Sequence, residues 1–194
     1  SNLIYPELSH FISSLDLTAI SEKRRAALQE LIAYIQQLMD EHQPIELIFI
    51  CTHNSRRSHL AQVWAQTLAA FYQLPNIECY SGGTEATAVY PMIVEVLENS
   101  GFKISSSAEM QNPVYSIYYS SELPAINGFS KLYNDPKNPH KDFAAIMTCS
   151  QADENCPFIP GAKKRISITY EDPKVSDGTK NQKEIYMERN LQIA

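Results

Sequence analysis

No run of this chain approaches the apolar length that a membrane span requires, so a membrane-embedded role is not expected. A basic surplus is also missing. Lys+Arg 16 against Asp+Glu 22 leaves a formal net charge of −6, which argues against wrapping a nucleic-acid backbone. Any anion bound here must be held by local charge and backbone dipoles. The opening Ser1-Asn2-Leu3-Ile4-Tyr5-Pro6 lacks a basic n-region and an apolar signal core, so a cytoplasmic location is expected. Cysteine is scarce, at four in 194 residues. A chain of this length buries a core without disulfide staples. In a reducing compartment Cys51, Cys79, Cys149 and Cys156 lean towards catalysis, redox chemistry or metal binding.

What is present reads as one decorated domain. Residues 1–44 are expected to be a helical extension. Ser21 caps a helix whose Leu28, Leu31, Ile32, Ile35, Leu38 and Met39 recur at spacings of three and four, and Pro44 stops it. Residues 45–194 read as an α/β unit. Strands are expected at 45–50, 77–80, 143–148 and 165–169, and helices from Ser58, from about Tyr90 (with Pro91 in the first turn and Gly101 beyond the end) and from near Thr179. Gln182 is placed there to complete a capping box. Strands alternating with helices predict a parallel sheet. Residues 105–141, with Pro113, Pro124, Pro136 and Pro139 and no sustained period, predict a long loop inserted in that unit.

The sharpest chemical signal is Cys51-Thr52-His53-Asn54-Ser55-Arg56-Arg57-Ser58, set between a buried strand and a helix start. A loop in that position aims several N–H groups at one point, and the helix dipole adds positive potential there. A tetrahedral dianion fits such a cradle. Arg57 offers a two-pronged fork to its oxygens, and the same field favours the thiolate of Cys51, the form that attacks. Ser58 is placed to donate to that sulfur, and Asn54 to brace the loop through bonds to backbone.

A second signal is Cys149-Ser150-Gln151-Ala152-Asp153-Glu154-Asn155-Cys156-Pro157. Cys149 follows a strand as Cys51 does, so a parallel sheet brings both to one edge. A redox pair, two unrelated buried thiols and half of a zinc site all fit this spacing. Zinc needs two more ligands, and none of His10, His42, His53, His59 and His140 pairs with these cysteines at ligand spacing. If 149–156 is a regular helix, the two Cα atoms stand about 10 Å apart. A disulfide needs them within about 7 Å, so a redox couple here predicts a segment that changes shape. Asp172, before Pro173, is both a candidate general acid and a common kind of turn residue. Cys79 reads as a buried structural thiol.

Residues 51–58 resemble the Cys-x-x-Asn-x-x-Arg-Ser loop of the low-molecular-weight tyrosine phosphatases and of the thioredoxin-coupled arsenate reductases that share their fold. Thr148-Cys149, six residues, then Cys156-Pro157 resembles the redox segment of the reductases. Ser81-Gly82-Gly83-Thr84-Glu85 is similar to their Ser-Ala-Gly-Thr-Glu, and Tyr170-Glu171-Asp172-Pro173 to their late Asp-Pro loop. The likeness spans roughly 45–104 and 142–194. It implies a three-layer sandwich on a central four-stranded parallel sheet. It also implies oxyanion binding by Thr52, His53, Asn54, Ser55, Arg56, Arg57 and Ser58, and acid catalysis by Asp172. Arsenate reduction by a relay through Cys51, Cys149 and Cys156, with thioredoxin as the external reductant, follows from the same likeness. Hydrolysis of a phosphotyrosine or small phosphoester is the rival reading. Two positions depart from the family: His53 stands at a usual glycine, and Arg56 at a usual second cysteine. No tightly bound cofactor is implied. Gln62 replaces a glutamate that helps some members hold potassium, which argues against a potassium site. The dimerisation role open to the N-terminal helix leaves no mark in the sequence.

Overall fold

A computed structural model describes residues 3–107, 110–156 and 158–194. Two helices lead the chain, α1 (Pro6–Ser13) and α2 (Glu22–Asp40). Ser21 caps α2, its Oγ accepting the Arg24 N–H at 3.2 Å. His42, at a φ of +53°, turns the chain into β1 (Ile45–Cys51). Then follow α3 (Arg57–Phe71), β2 (Ile77–Gly83) and α4 (Pro91–Ser100).

The next stretch departs from expectation. Instead of a structureless loop, β3 (Lys103–Ser106), β4 (Tyr115–Tyr118) and β5 (Ile126–Gly128) form a three-stranded antiparallel sheet. Ile117, Tyr119 and Ile126 sink into the core shared by α1, α3 and α4. With so few residues per strand, no local alternation announces them; burial against the helices stabilises them instead. The chain closes with β6 (Phe143–Met147), α5 (Ser150–Asn155), β7 (Ala162–Ser167) and α6 (Gln182–Ile193). β7 starts and ends earlier than the 165–169 expected. The capping box at Thr179 does not form. Thr179 Oγ1 donates to Ser176 O, and Gln182 Oε1 accepts from Tyr90 and from the Gly178 N–H.

The main sheet has the order β2-β1-β6-β7, with every pairing parallel. β1 and β6 are central and, apart from the half-buried Glu46, buried along their length, which is why both read as nearly continuous apolar runs. Alternation then sorts their side chains. Ile45, Leu47, Phe49, Ala144 and Ile146 meet α2 and α3 on one face, while Ile48, Ile50, Ala145 and Met147 meet α5 and Ile159 on the other. α3 is packed on both sides. Its Trp64 stacks on Phe11 at 5.1 Å, meets Phe102 edge-on at 5.0 Å, and donates its indole N–H to Asn190 Oδ1 at 2.8 Å.

The inserted segment returns against the end of β2. Gly83 N–H donates to Lys131 O at 2.9 Å and Tyr133 N–H to Gly83 O at 3.0 Å. That close pass explains Gly82, which stands where the resembled family has alanine. A Cβ on Gly82 would lie 2.3 Å from Tyr133 Cα. Gly82→Ala is therefore expected to cost about 1–3 kcal/mol, although it restores the family residue. Urea unfolding of the variant checks this, and an unchanged midpoint would rule out the tight contact.

Candidate active site

β1 and β6 end side by side, so the loops that leave them face one another. Residues 51–58 form the first loop. Its N–H groups at 53–58 make no backbone bond among the described residues, leaving them free for an anion. Cys51, at the end of β1, is buried. Its Sγ lies 2.9 Å from Ser58 Oγ, and Asn54 Nδ2 donates to that same Oγ at 2.7 Å. Asn54 takes a φ of +48°, which a short polar side chain tolerates. Its Oδ1 accepts the Lys131 N–H at 3.0 Å. The brace expected of Asn54 therefore reaches across to the inserted segment. That segment also holds the loop at His53, whose carbonyl accepts from Ser130 Oγ at 2.8 Å.

Gly83 lies directly beneath. A Cβ there would fall 2.7 Å from Thr52 O and 2.8 Å from Asn54 N. Ser55 is buried, and its carbonyl accepts the Tyr90 N–H at 3.1 Å. His53 Nδ1 lies 3.3 Å from Glu85 Oε2.

The two adjacent arginines have separate partners. Arg57 NH1 donates to Tyr170 O at 2.9 Å, and NH2 lies 3.3 Å from Asp172 Oδ2. Its Nε is buried with no partner. The structure thus brings together the arginine fork, on the loop that Cys51 opens, and the candidate acid. Asp172 is also a turn residue, its Oδ1 accepting the Lys174 N–H at 3.0 Å. Arg56 was expected to line the cradle, but its guanidinium is committed elsewhere. It pairs with Asp177 at 2.6 Å, donates to Tyr186 OH at 2.7 Å, and lies 4.4 Å over the Tyr90 ring. Only its backbone is left to the anion. These bonds tie the cradle to α6, and burial together with Asp177 pushes the Tyr186 hydroxyl pKa up. Neither Asp177 nor Tyr186 carries a local motif that would have announced this role.

Cys149 follows β6 and is buried. Its Sγ lies 3.4 Å from Thr52 Oγ1 in the cradle and accepts the Ala152 N–H at 3.3 Å. Cys156 stands at the far end of α5, more exposed, 3.8 Å from Phe158 O. Cys79 is buried in β2, away from both, and burial raises its thiol pKa.

Gln62 Nε2 donates to Cys79 O at 3.1 Å, and Lys131 lines the cavity beside it. Among the described residues no group of three or more His, Cys, Asp and Glu is arranged for a metal.

Beneath the cradle, His59 is buried on α3. Burial, and then the Lys131 charge, lower its pKa from 6.5 to about 3. It is thus neutral when folded but titrates normally when unfolded. Between those two values the unfolded chain binds the extra proton, so stability is full above pH 6.5 and falls as the pH drops. Urea midpoints should therefore decline on acidification in the wild type and decline less in His59→Leu. Parallel curves for the two proteins would count against the buried neutral imidazole.

The sequence profile of the low molecular weight phosphotyrosine protein phosphatases matches residues 46–116, from β1 to the start of β4. Arsenate reductase 2 of Staphylococcus epidermidis is 30% identical over 127 residues, which cover 66% of this chain and 77% of the relative. The chain belongs to the low-molecular-weight phosphatase and arsenate reductase family. An arsenate reductase of Bacillus licheniformis is 27% identical over 143 residues, 74% of this chain and 84% of that one. A YwlE mutant from Bacillus subtilis shares the fold at 18% identity, with a TM-score of 0.52 over 77% of this chain and 90% of its own. As a member of this family the protein is an enzyme, and residues 51–58 lie within the family match. The family match takes in β3 and the start of β4, while β5 lies beyond it.

Proposed function

We propose that the protein is an arsenate reductase that works by a three-cysteine relay. Arsenate sits in the 51–58 loop on the free N–H groups and Arg57. The Cys51 thiolate attacks arsenic, and Asp172 protonates the departing oxygen, which leaves as water. Cys149 thiolate then attacks the Cys51 sulfur. The sulfur–arsenic electron pair stays on arsenic, which leaves as arsenite, and a Cys51–Cys149 disulfide remains. Cys156 attacks Cys149, releases Cys51 and leaves a Cys149–Cys156 disulfide. An external dithiol, by family resemblance thioredoxin, reduces that pair.

The contact that carries this reading is Cys149 Sγ against Thr52 of the cradle, at 3.4 Å. That contact supports a part for the Cys149 thiol in the chemistry of the cradle. The names of the two reductase relatives support the same substrate. The rival phosphatase reading needs only Cys51, Arg57 and Asp172, and the 3.3 Å contact of Asp172 with Arg57 supports it.

The test is arsenate-dependent NADPH oxidation with thioredoxin and thioredoxin reductase, for wild type, Cys149→Ser and Cys156→Ser. Turnover in wild type and loss in both variants is expected. Full multiple turnover by Cys156→Ser would sink the relay. Absence of turnover in wild type, with aryl phosphate hydrolysis that needs Cys51 and neither other cysteine, would make the protein a phosphatase.

A further inference from the structure

Three sulfurs carry the proposed relay, and each meets a hydroxyl. Ser58 Oγ lies 2.9 Å from Cys51 Sγ, and Thr52 Oγ1 lies 3.4 Å from Cys149 Sγ. The hydroxyl that meets Cys156 comes from Tyr133, in the inserted segment and beyond the family match, which ends at residue 116. Tyr133 and Cys156 both pack against the cluster that holds Ile48, Ile50, Cys51, Met147 and Cys149. Tyr133 is fixed from behind. Its N–H donates to Gly83 O at 3.0 Å, and its carbonyl accepts from Asn138 Nδ2 at 3.1 Å. Cys156 is fixed too, its carbonyl held by Arg165 NH1. Its thiol donates to Phe158 O at 3.8 Å, which leaves the sulfur lone pairs to accept from the Tyr133 hydroxyl.

The three places differ in what else they offer a thiolate. Cys51 ends a strand at a cradle of free N–H groups. Cys149 starts α5 and accepts the Ala152 N–H at 3.3 Å. Cys156 stands at the other end of α5, where carbonyls point and the helix dipole disfavours a negative charge. Glu154, two residues earlier, adds to that disfavour. A thiolate in this position needs a donor, because a hydrogen bond to the charged form favours that form. Burial, and then the Cys156 sulfur, raise the Tyr133 hydroxyl pKa, so the phenol keeps its proton and stays a donor at neutral pH.

We propose that Tyr133 is the hydrogen-bond donor that stabilises the Cys156 thiolate, the form that attacks Cys149 in the relay. The inference rests on that relay for its meaning, while the donor itself is tested without arsenate. In the step concerned, the Cys156 thiolate attacks the Cys149 sulfur of the Cys51–Cys149 disulfide. The new sulfur–sulfur bond forms as the old one breaks, Cys51 leaves as thiolate, and the Tyr133 proton is not transferred. The inserted segment thus supplies to the third cysteine what the cradle and α5 supply to the other two.

The probe is iodoacetamide, applied to the full chain carrying Cys51→Ser and Cys149→Ser. The readout is the alkylation rate of Cys156 against pH, followed by mass spectrometry of its peptide. Tyr133→Phe keeps the ring and both backbone bonds and removes the donor alone. Losing a hydrogen bond to a charged group cuts the thiolate fraction about tenfold. The thiolate that remains is the better nucleophile, which returns about a factor of three. Alkylation in Tyr133→Phe is therefore expected to be about threefold slower than in its parent at about pH 7, and faster than in its parent above about pH 10, where both thiols are ionised. Crossing profiles follow from a lost donor. Altered access to the sulfur moves both ends of the profile the same way. Superimposed profiles, or a variant slower or faster across the whole range, overturn the proposal. The relay fails separately: full multiple turnover by Cys156→Ser removes the relay and leaves the alkylation result as it stands.

Discussion

Arg57→Met is expected to lower turnover by about a thousandfold, on arsenate or on an aryl phosphate alike, while the urea midpoint hardly moves. Arg57 joins the cradle to the loop of the candidate acid. It opens α3, where the cradle ends, and its fork reaches Tyr170 O and Asp172 Oδ2 on the acid loop. Its side chain is only 12% exposed. A charge that far from water interacts strongly with an anion placed beside it. The buried Nε has no partner among the described residues. Arg57→Lys keeps the charge and loses the fork. A single ammonium cannot hold the acid loop and two substrate oxygens together, so little activity should return. Arg56→Met is the control with the opposite signature. It strips Asp177 and Tyr186 of their partner and should lower stability, with turnover per folded molecule largely kept. Equal loss of turnover from both arginines would mean that the cradle depends on overall positive charge rather than on the Arg57 fork.

The contrast between neighbouring arginines marks where the sequence stops being informative. The cradle was legible because its logic is local. An apolar strand breaks off at Cys51, a polar turn follows, and a helix begins, so direction and dipole follow from chain order alone. Cys149 was legible for the same reason, as the residue that leaves a second buried strand. The assignment of the anion to Arg57 came from spacing and resemblance and remains part of the proposal. What the other one does depends on Asp177 and Tyr186, more than a hundred residues away. Contacts of that range leave no periodic trace. Lys131 is the same case: it reads as one lysine in an irregular stretch until the fold sets its backbone on Asn54 and its side chain in a cavity. The β3–β5 sheet was missed because its strands are short, separated by prolines, and shaped by the helices they cover. Gly82 did leave a trace, as a glycine at a family alanine, but the neighbour that demands it, Tyr133, belongs to that unread segment.

The second large effect concerns α5 and the proposed redox pair at its two ends. Arg165→Met is expected to shift the Cys149–Cys156 equilibrium towards the disulfide by about tenfold to a hundredfold, lowering its reduction potential by about 30–60 mV. Cys149 caps the start of α5 and Cys156 its end. That helix keeps their Cα atoms about 10 Å apart, so the disulfide forms only when the helix opens. Arg165, on β7, opposes the opening. Its Nε and NH2 donate to Asp153 Oδ1 at 3.2 and 2.8 Å, NH2 reaches Asp153 O at 2.6 Å, and NH1 holds Cys156 O. Ser167 Oγ adds a bond to Asp153 Oδ2 at 2.6 Å. Burial opposes the charge on Asp153, but Ser167 and Arg165 together hold its carboxyl below the usual range. The fork thus satisfies carbonyls that a short helix leaves unpaired and pins its exit to a sheet strand. Arg165 and Asp153 are 27% and 28% exposed, so the pair is worth less than a fully buried one, about 1–3 kcal/mol. All of these bonds belong to the reduced, helical form, so removing them favours the oxidised one. Glutathione redox titration in a Cys51→Ser background, read by alkylation and mass spectrometry, measures the shift without arsenate. A potential unmoved by Arg165→Met would mean that α5 opens without parting from β7, and that the two cysteines meet by a path that leaves the Arg165 fork closed.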